Sequence, residues 1–97
     1  HVWAIDCDSD ALSVARRRSA KEKTSSKITF LEGLSFDLAL SDKADIIICE
    51  TVGSFGFDEN ILLTLLDAKK RLLKKGGRII PQKIELWGAP CDVIPEI

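Results

Sequence analysis

Two glutamates, Glu50 and Glu59, bracket the stretch Thr51-Val52-Gly53-Ser54-Phe55-Gly56-Phe57-Asp58. Glu50 follows Asp45-Ile46-Ile47-Ile48-Cys49, which reads as a buried strand. A carboxylate at the end of such a strand is poorly hydrated unless something cationic pairs with it. Glu59 falls where a helix should begin, and negative charge is favoured there by the helix dipole. Taken singly, each glutamate has an ordinary structural explanation as well as a chemical one. The intervening glycines, Gly53 and Gly56, would let the loop fold both toward one point. Two carboxylates facing one pocket repel each other unless a cation sits between them. A guanidinium is planar, permanently charged and matched to bidentate carboxylate contacts. Held on two sides, it would present one terminal nitrogen in line with an electrophilic methyl, and in-line displacement gains chiefly from orientation. A metal ion is the other cation to weigh, but two carboxylates without a nearby His or Asp offer it few ligands.

A third acid, Asp6, ends the apolar run Val2-Trp3-Ala4-Ile5. Open α/β sheets bind ligands beyond the carboxyl ends of their strands, and an acid there suits two adjacent ribose hydroxyls. Equally, Asp6 could help to cap the helix that follows, a task for which Asp8 and Asp10 are also at hand. The remaining candidates carry less. His1 is the only histidine and stands at the end of the chain, which argues against a histidine-based triad. Lys74-Lys75-Gly76-Gly77-Arg78 could cradle a phosphate, but a solvated helix end with a glycine cap explains it. Trp3, Phe30 and Trp87 read as packing residues, and the aspartates at 37, 42 and 45 lack metal-ligand spacing.

The elements that must position these residues follow from pattern. Val2 to Ile5 reads as a strand, and Asp8 or Ser9 caps a helix running to about Lys23. Ala11, Leu12, Val14, Ala15 and Ser19 should lie on its inner side. Thr24-Ser25-Ser26 breaks it, and Ile28 to Leu31 is a second strand closed by Glu32-Gly33. Leu34 to Leu40 fits either a loop or one helical turn. The three isoleucines of the third strand suggest burial on both faces, as in parallel sheets covered by helices. A helix from Asp58 or Glu59 to about Lys74 should follow, stopped by Gly76-Gly77, with extended stretches from Arg78 to Pro81 and Lys83 to Trp87. Strands alternating with helices predict a parallel α/β sheet.

Composition bounds the function. The chain has 97 residues, 45% of them hydrophobic, which suits one small folded domain. Fourteen basic residues stand against 15 acidic, so no basic excess is available for nucleic acid. No apolar run reaches the roughly 18 residues of a membrane span. Cys7, Cys49 and Cys91 are dispersed and odd in number, which suits reduced thiols in a cytoplasmic protein better than disulfides or zinc. The chain opens inside a strand-like run, so a fragment of a longer protein is expected.

Several of these segments are familiar together. Val2-Trp3-Ala4-Ile5-Asp6 resembles the second strand of class I S-adenosylmethionine-dependent methyltransferases, whose terminal acid binds the cofactor ribose. Ile28-Thr29-Phe30-Leu31-Glu32-Gly33 resembles their third strand and Ala44-Asp45-Ile46-Ile47-Ile48-Cys49-Glu50 the fourth. Leu73-Lys74-Lys75-Gly76-Gly77-Arg78-Ile79-Ile80-Pro81 is similar to the turn ahead of the fifth. Glu50-Thr51-Val52-Gly53-Ser54-Phe55 with Glu59 resembles the double-glutamate loop of protein arginine methyltransferases, especially the symmetric-dimethylating branch, and Leu86-Trp87-Gly88-Ala89-Pro90 is similar to its continuation.

The resemblance covers essentially the whole chain and implies a partial Rossmann-like methyltransferase domain over residues 1–97. It implies S-adenosylmethionine as cofactor, Asp6 on its ribose, Leu34 and Ser35 beside the adenine, and Glu50 with Glu59 clamping a substrate guanidinium. Leu34 stands where most relatives carry a polar residue, which leaves a backbone N–H at Ser35 to contact the ring. Thr51 and Val52 replace bulkier residues common in arginine-methylating relatives. The implied partner is a protein or peptide with an arginine side chain, with self-association of the parent also expected, and neither nucleic acid nor membrane. Methylation of another protein or a small molecule, and a scaffold that keeps the fold without the chemistry, are the alternatives. The family's first strand, with its glycine-rich loop, would lie between the strands ending at Ile5 and Cys49, so the chain alone is expected to leave two bare sheet edges.

Overall fold

The computed structural model of the protein describes residues 1–92. Asp8 caps the first helix, its carboxylate accepting from the N–H groups of Asp10 at 2.8 Å and Ala11 at 3.2 Å. Two N–H groups that the helix itself leaves unpaired are thereby satisfied. Strand β1 (Val2–Asp6) thus passes into helix α1 (Ser9–Lys21), and a single 3-10 turn (Ser25–Lys27) delivers the chain to β2 (Ile28–Glu32). The two strands are parallel and in register from Val2 opposite Ile28 to Asp6 opposite Glu32. Leu12 and Ser19 of α1 are buried, and Arg16 lies over the Phe30 ring at 5.0 Å. Val14, expected on the inner side, is 55% exposed. A sheet of two strands is too narrow to cover the whole helical stripe.

The second unit repeats the plan with β3 (Ala44–Ile48), α2 (Ile61–Arg71) and β4 (Leu73–Ile80). Helix α2 is shorter than the sequence pattern suggests at both ends. Asp58 and Glu59 precede it, and Asn60 caps it in the left-handed conformation, with φ of 62°. At the other end Leu72 closes the helix, and its carbonyl accepts from the N–H of Ala44 at 2.8 Å, which starts β3. Gly76-Gly77 is therefore no helix cap. The pairing steps from Ala44 opposite Leu73 to Ile46 opposite Arg78, so the residues between bulge out of β4. Gly76 supplies the positive φ of 80°. A Cβ on Gly77 would stand 2.6 Å from Leu73 Cδ1 and 2.9 Å from the Asp45 carbonyl oxygen, so only glycine fits there. From Lys83 to Trp87 no strand forms, and Trp87 is 88% exposed rather than packed.

The alternation of elements predicts one parallel sheet, and the resemblance predicts that this chain alone leaves two of its strand edges bare; two parallel pairs are found. Among the described residues β1 pairs only with β2, and β3 only with β4. The free edges of β1 and β3 face a common cleft of about 730 Å3 and do not meet. Ile46 and Ile48 share one strand face and are exposed, Ile48 at 77%, where burial on both faces is expected from the sequence. No helix among the described residues is long and apolar enough to cross a membrane.

Candidate functional site

The carboxyl ends of β1, β2 and β3 all open on this cleft, and with them Asp6, Leu34, Ser35 and Glu50. Asp8 performs the capping, which releases Asp6 from that task. Asp6 instead accepts the Asp8 N–H on Oδ1 at 2.9 Å, and among the described residues its Oδ2 has no partner. Its carbonyl accepts from the N–H of Gly33 at 2.9 Å, drawing the loop after β2 against the end of β1. Carboxylate and loop are thus fixed side by side.

That loop is a turn. The N–H of Asp37 donates to the Leu34 carbonyl at 3.0 Å, and the Leu34 side chain is exposed. Among the described residues the Ser35 N–H has no acceptor. The outside of the turn is gripped by Arg71 at the end of α2, which the sequence pattern does not single out. Its guanidinium donates to the carbonyls of Ser35 at 2.7 Å and Leu38 at 2.9 Å, and forks onto both oxygens of Asp67. The bond to Arg71 holds the Asp67 carboxyl below the usual range, and the same bond raises the guanidinium. An Asp and an Arg four residues apart on a helix are legible as a pair. That the arginine's outer nitrogens also reach a loop more than thirty residues away is a tertiary fact.

Glu50 and Glu59 do not line the same cleft. Glu50 follows β3 on the cleft, whereas Glu59 is not among the residues that line it. Between them Asp58 organises the loop, accepting from the N–H groups of Ser54 and Phe55, both at 3.0 Å. Asp58 is thus a loop staple and not a helix cap. Gly53, with φ of 59°, makes room for it: a Cβ there would stand 2.2 Å from the Asp58 carboxylate. The N–H of Phe55, chiefly, holds the Asp58 carboxyl below its ordinary range. A depressed carboxyl stabilises the fold above its unfolded pKa, and that contribution is lost as pH falls through the folded value. Hydrogen exchange should therefore show residues 51–59 losing protection below about pH 4, the ordinary range for Asp. Asp58→Asn should remove that pH dependence. Unchanged acid behaviour in the variant would assign the opening to another group.

Residues 1–77 match the family model described as a methyltransferase domain. The chain is 36% identical over 87 residues to Protein arginine N-methyltransferase 1 of Chlamydomonas reinhardtii, covering 89% of this chain and 25% of that protein. It is 30% identical over 90 residues to the probable histone-arginine methyltransferase CARM1 of Oryza sativa subsp. indica, covering 93% and 17%. Among solved structures, the Trypanosoma brucei PRMT1 enzyme-prozyme heterotetrameric complex with AdoHcy matches 81% of this chain and 25% of that one. The TM-score is 0.74 and the identity 29%. The chain thus spans a quarter or less of each of these relatives. With residues 1–77 matched and the same α/β arrangement found in a solved relative, the chain belongs to the methyltransferase-domain family.

Proposed function

We propose that the protein containing this chain transfers a methyl group from S-adenosylmethionine to a nitrogen of a protein arginine side chain. One observation carries the reading: beside the gap between β1 and β3, which the family's first strand would fill, Asp6, Ser35 and Glu50 stand at or just past the carboxyl ends of three strands. That is the place where α/β sheets bind their ligands. The residues suit the cofactor. Asp6 offers a free carboxylate oxygen to vicinal ribose hydroxyls, and Ser35 a free N–H to a ring nitrogen of the base. The cofactor supplies an electrophilic methyl on a sulfonium sulfur. Glu50 would hold the substrate guanidinium by a charge-assisted bond and orient its nitrogen. Glu59 would complete the clamp by a movement of the 51–60 loop. The named activities of the similar plant, algal and trypanosome proteins support the arginine substrate. The trypanosome protein forms an enzyme-prozyme heterotetramer, which supports assembly with a second subunit. Three free thiols, Cys7, Cys49 and Cys91, suit a reducing cytoplasm.

Incubating the full-length protein with methyl-labelled cofactor and arginine-containing proteins, then hydrolysing the product, should release labelled methylarginine. Label on another residue would leave a methyltransferase of different substrate, and no label at all would leave a scaffold. Asp6→Ala should weaken cofactor binding by roughly 1.5–3 kcal/mol, the scale of a hydrogen bond to a charged group. Calorimetry showing equal affinity, with the fold intact, removes Asp6 from the site.

A further inference from the structure

We propose that Arg71 is a positioning residue that sets the Leu34–Ser35 peptide for recognition of the cofactor's base, an inference that rests on the function proposed above. The peptide between Leu34 and Ser35 is planar and trans, so its C=O and N–H point in opposite directions. Its carbonyl is engaged by the Asp37 N–H across the turn, at 3.0 Å. Its N–H is thereby turned the other way, on a loop that borders the cleft. A single hydrogen bond across a four-residue turn holds that orientation weakly. Arg71 supplies the rest, with one guanidinium nitrogen on the Ser35 carbonyl at 2.7 Å and the other on the Leu38 carbonyl at 2.9 Å.

The guanidinium is itself aimed. Asp67 accepts from Nε at 2.8 Å and from Nη2 at 2.5 Å, which fixes the plane of the fork. A lysine at this position would keep the charge but could not reach two carbonyls in one plane. Arg71 and Asp67 are both partly shielded, with side chains 33% and 23% exposed. Water therefore competes poorly for these bonds. The Leu34 side chain has no polar atom, so the discrimination this loop offers is that of the Ser35 N–H, a donor of fixed direction. Such a donor accepts adenine, whose ring N1 is an acceptor, and rejects hypoxanthine, whose N1 carries a proton.

The test uses the full-length protein with S-adenosylhomocysteine and S-inosylhomocysteine as probes, comparing wild type with Arg71→Lys and Asp67→Asn. In Arg71→Lys, affinity for the adenine compound should fall roughly tenfold, the effect of losing about one charge-assisted bond's worth of ordering. Preference over the hypoxanthine compound should narrow by a similar factor, and kcat at saturating cofactor should stay near wild type. Amides 33–38 should exchange faster. Asp67→Asn, which keeps the arginine and loosens its aim, should move each readout in the same direction by less. A merely structural role would lower thermal stability and leave the base preference alone, and that result overturns the proposal. Equal affinity and equal preference in both variants overturn it as well. A wild type that binds neither probe fails the function proposed above, which is a different and recognisable result.

Discussion

Glu50→Gln in the full-length protein should cut turnover of an arginine peptide at least ~100-fold while cofactor affinity barely moves, because orientation and charge pairing at the guanidinium are lost together. The substitution keeps size and shape, while it removes the charge and replaces one acceptor oxygen by a donor that a guanidinium cannot use, so a large effect cannot come from packing. Glu59→Gln should have an effect of the same order. Its starting geometry differs, however: Glu50 lines the cleft and Glu59 does not. In the proposed clamp Glu59 would reach the guanidinium by movement of the 51–60 loop, which Asp58 and Gly53 hold in its present shape. Steady-state kinetics separates the cases. If only Glu50→Gln is impaired, one carboxylate binds the substrate and Glu59 belongs to the loop. If neither is impaired, the clamp is wrong and the loop is structural.

Much of this arrangement is legible in the chain because the signals are local. Val2-Trp3-Ala4-Ile5, the Asp8 cap and Ile28-Thr29-Phe30-Leu31 each form their element within a residue or two of the pattern. The misplacements have tertiary causes. Asp58 looks like a helix cap, yet nearer N–H groups at Ser54 and Phe55 take its carboxylate once Gly53 opens the space. Gly76-Gly77 looks like a helix stop, but the register shift between β3 and β4 needs glycine for a bulge. Ile46 and Ile48 have the composition of a doubly covered strand, yet they share one face, and nothing among the described residues covers it. In the site, Asp6, Ser35 and Glu50 are legible from their places at strand ends. Arg71 is not, since its partners are carbonyl oxygens, and every residue type carries one.

The 97-residue chain by itself should neither unfold cooperatively as a monomer nor bind S-adenosylmethionine at micromolar affinity. Its accessible surface is 8077 Å2, whereas a compact monomer of 10.7 kDa exposes roughly 5,500 Å2. Its radius of gyration is 16.9 Å, against about 12.5 Å for a compact chain of this length. Part of the excess is the irregular stretch from Pro81 to Asp92, and the rest comes from surfaces that nothing among the described residues covers. Ile46 and Ile48 on β3, and Leu62, Leu63 and Leu66 on α2, are all more than two-fifths exposed. The buried apolar side chains are few: Leu12, Ile61, Ala68, Leu72 and Leu73 among the described residues. Small domains are stable by only about 5–15 kcal/mol in total, so a core this thin does not offset the ordering of the chain. The two bare strand edges also present unpaired N–H and C=O groups to any extended segment that reaches them. Light scattering after size-exclusion chromatography should show either an expanded monomer or self-association, and a cofactor titration should show no saturable binding below about 1 mM, where the binding free energy is only about 4 kcal/mol. The same residues within the full-length protein should show slow amide exchange along both edges, as pairing with the expected additional strand would give. A compact, cooperatively melting monomer of 97 residues with micromolar affinity would sink this expectation, and would mean that the cleft between β1 and β3 is already a complete binding site.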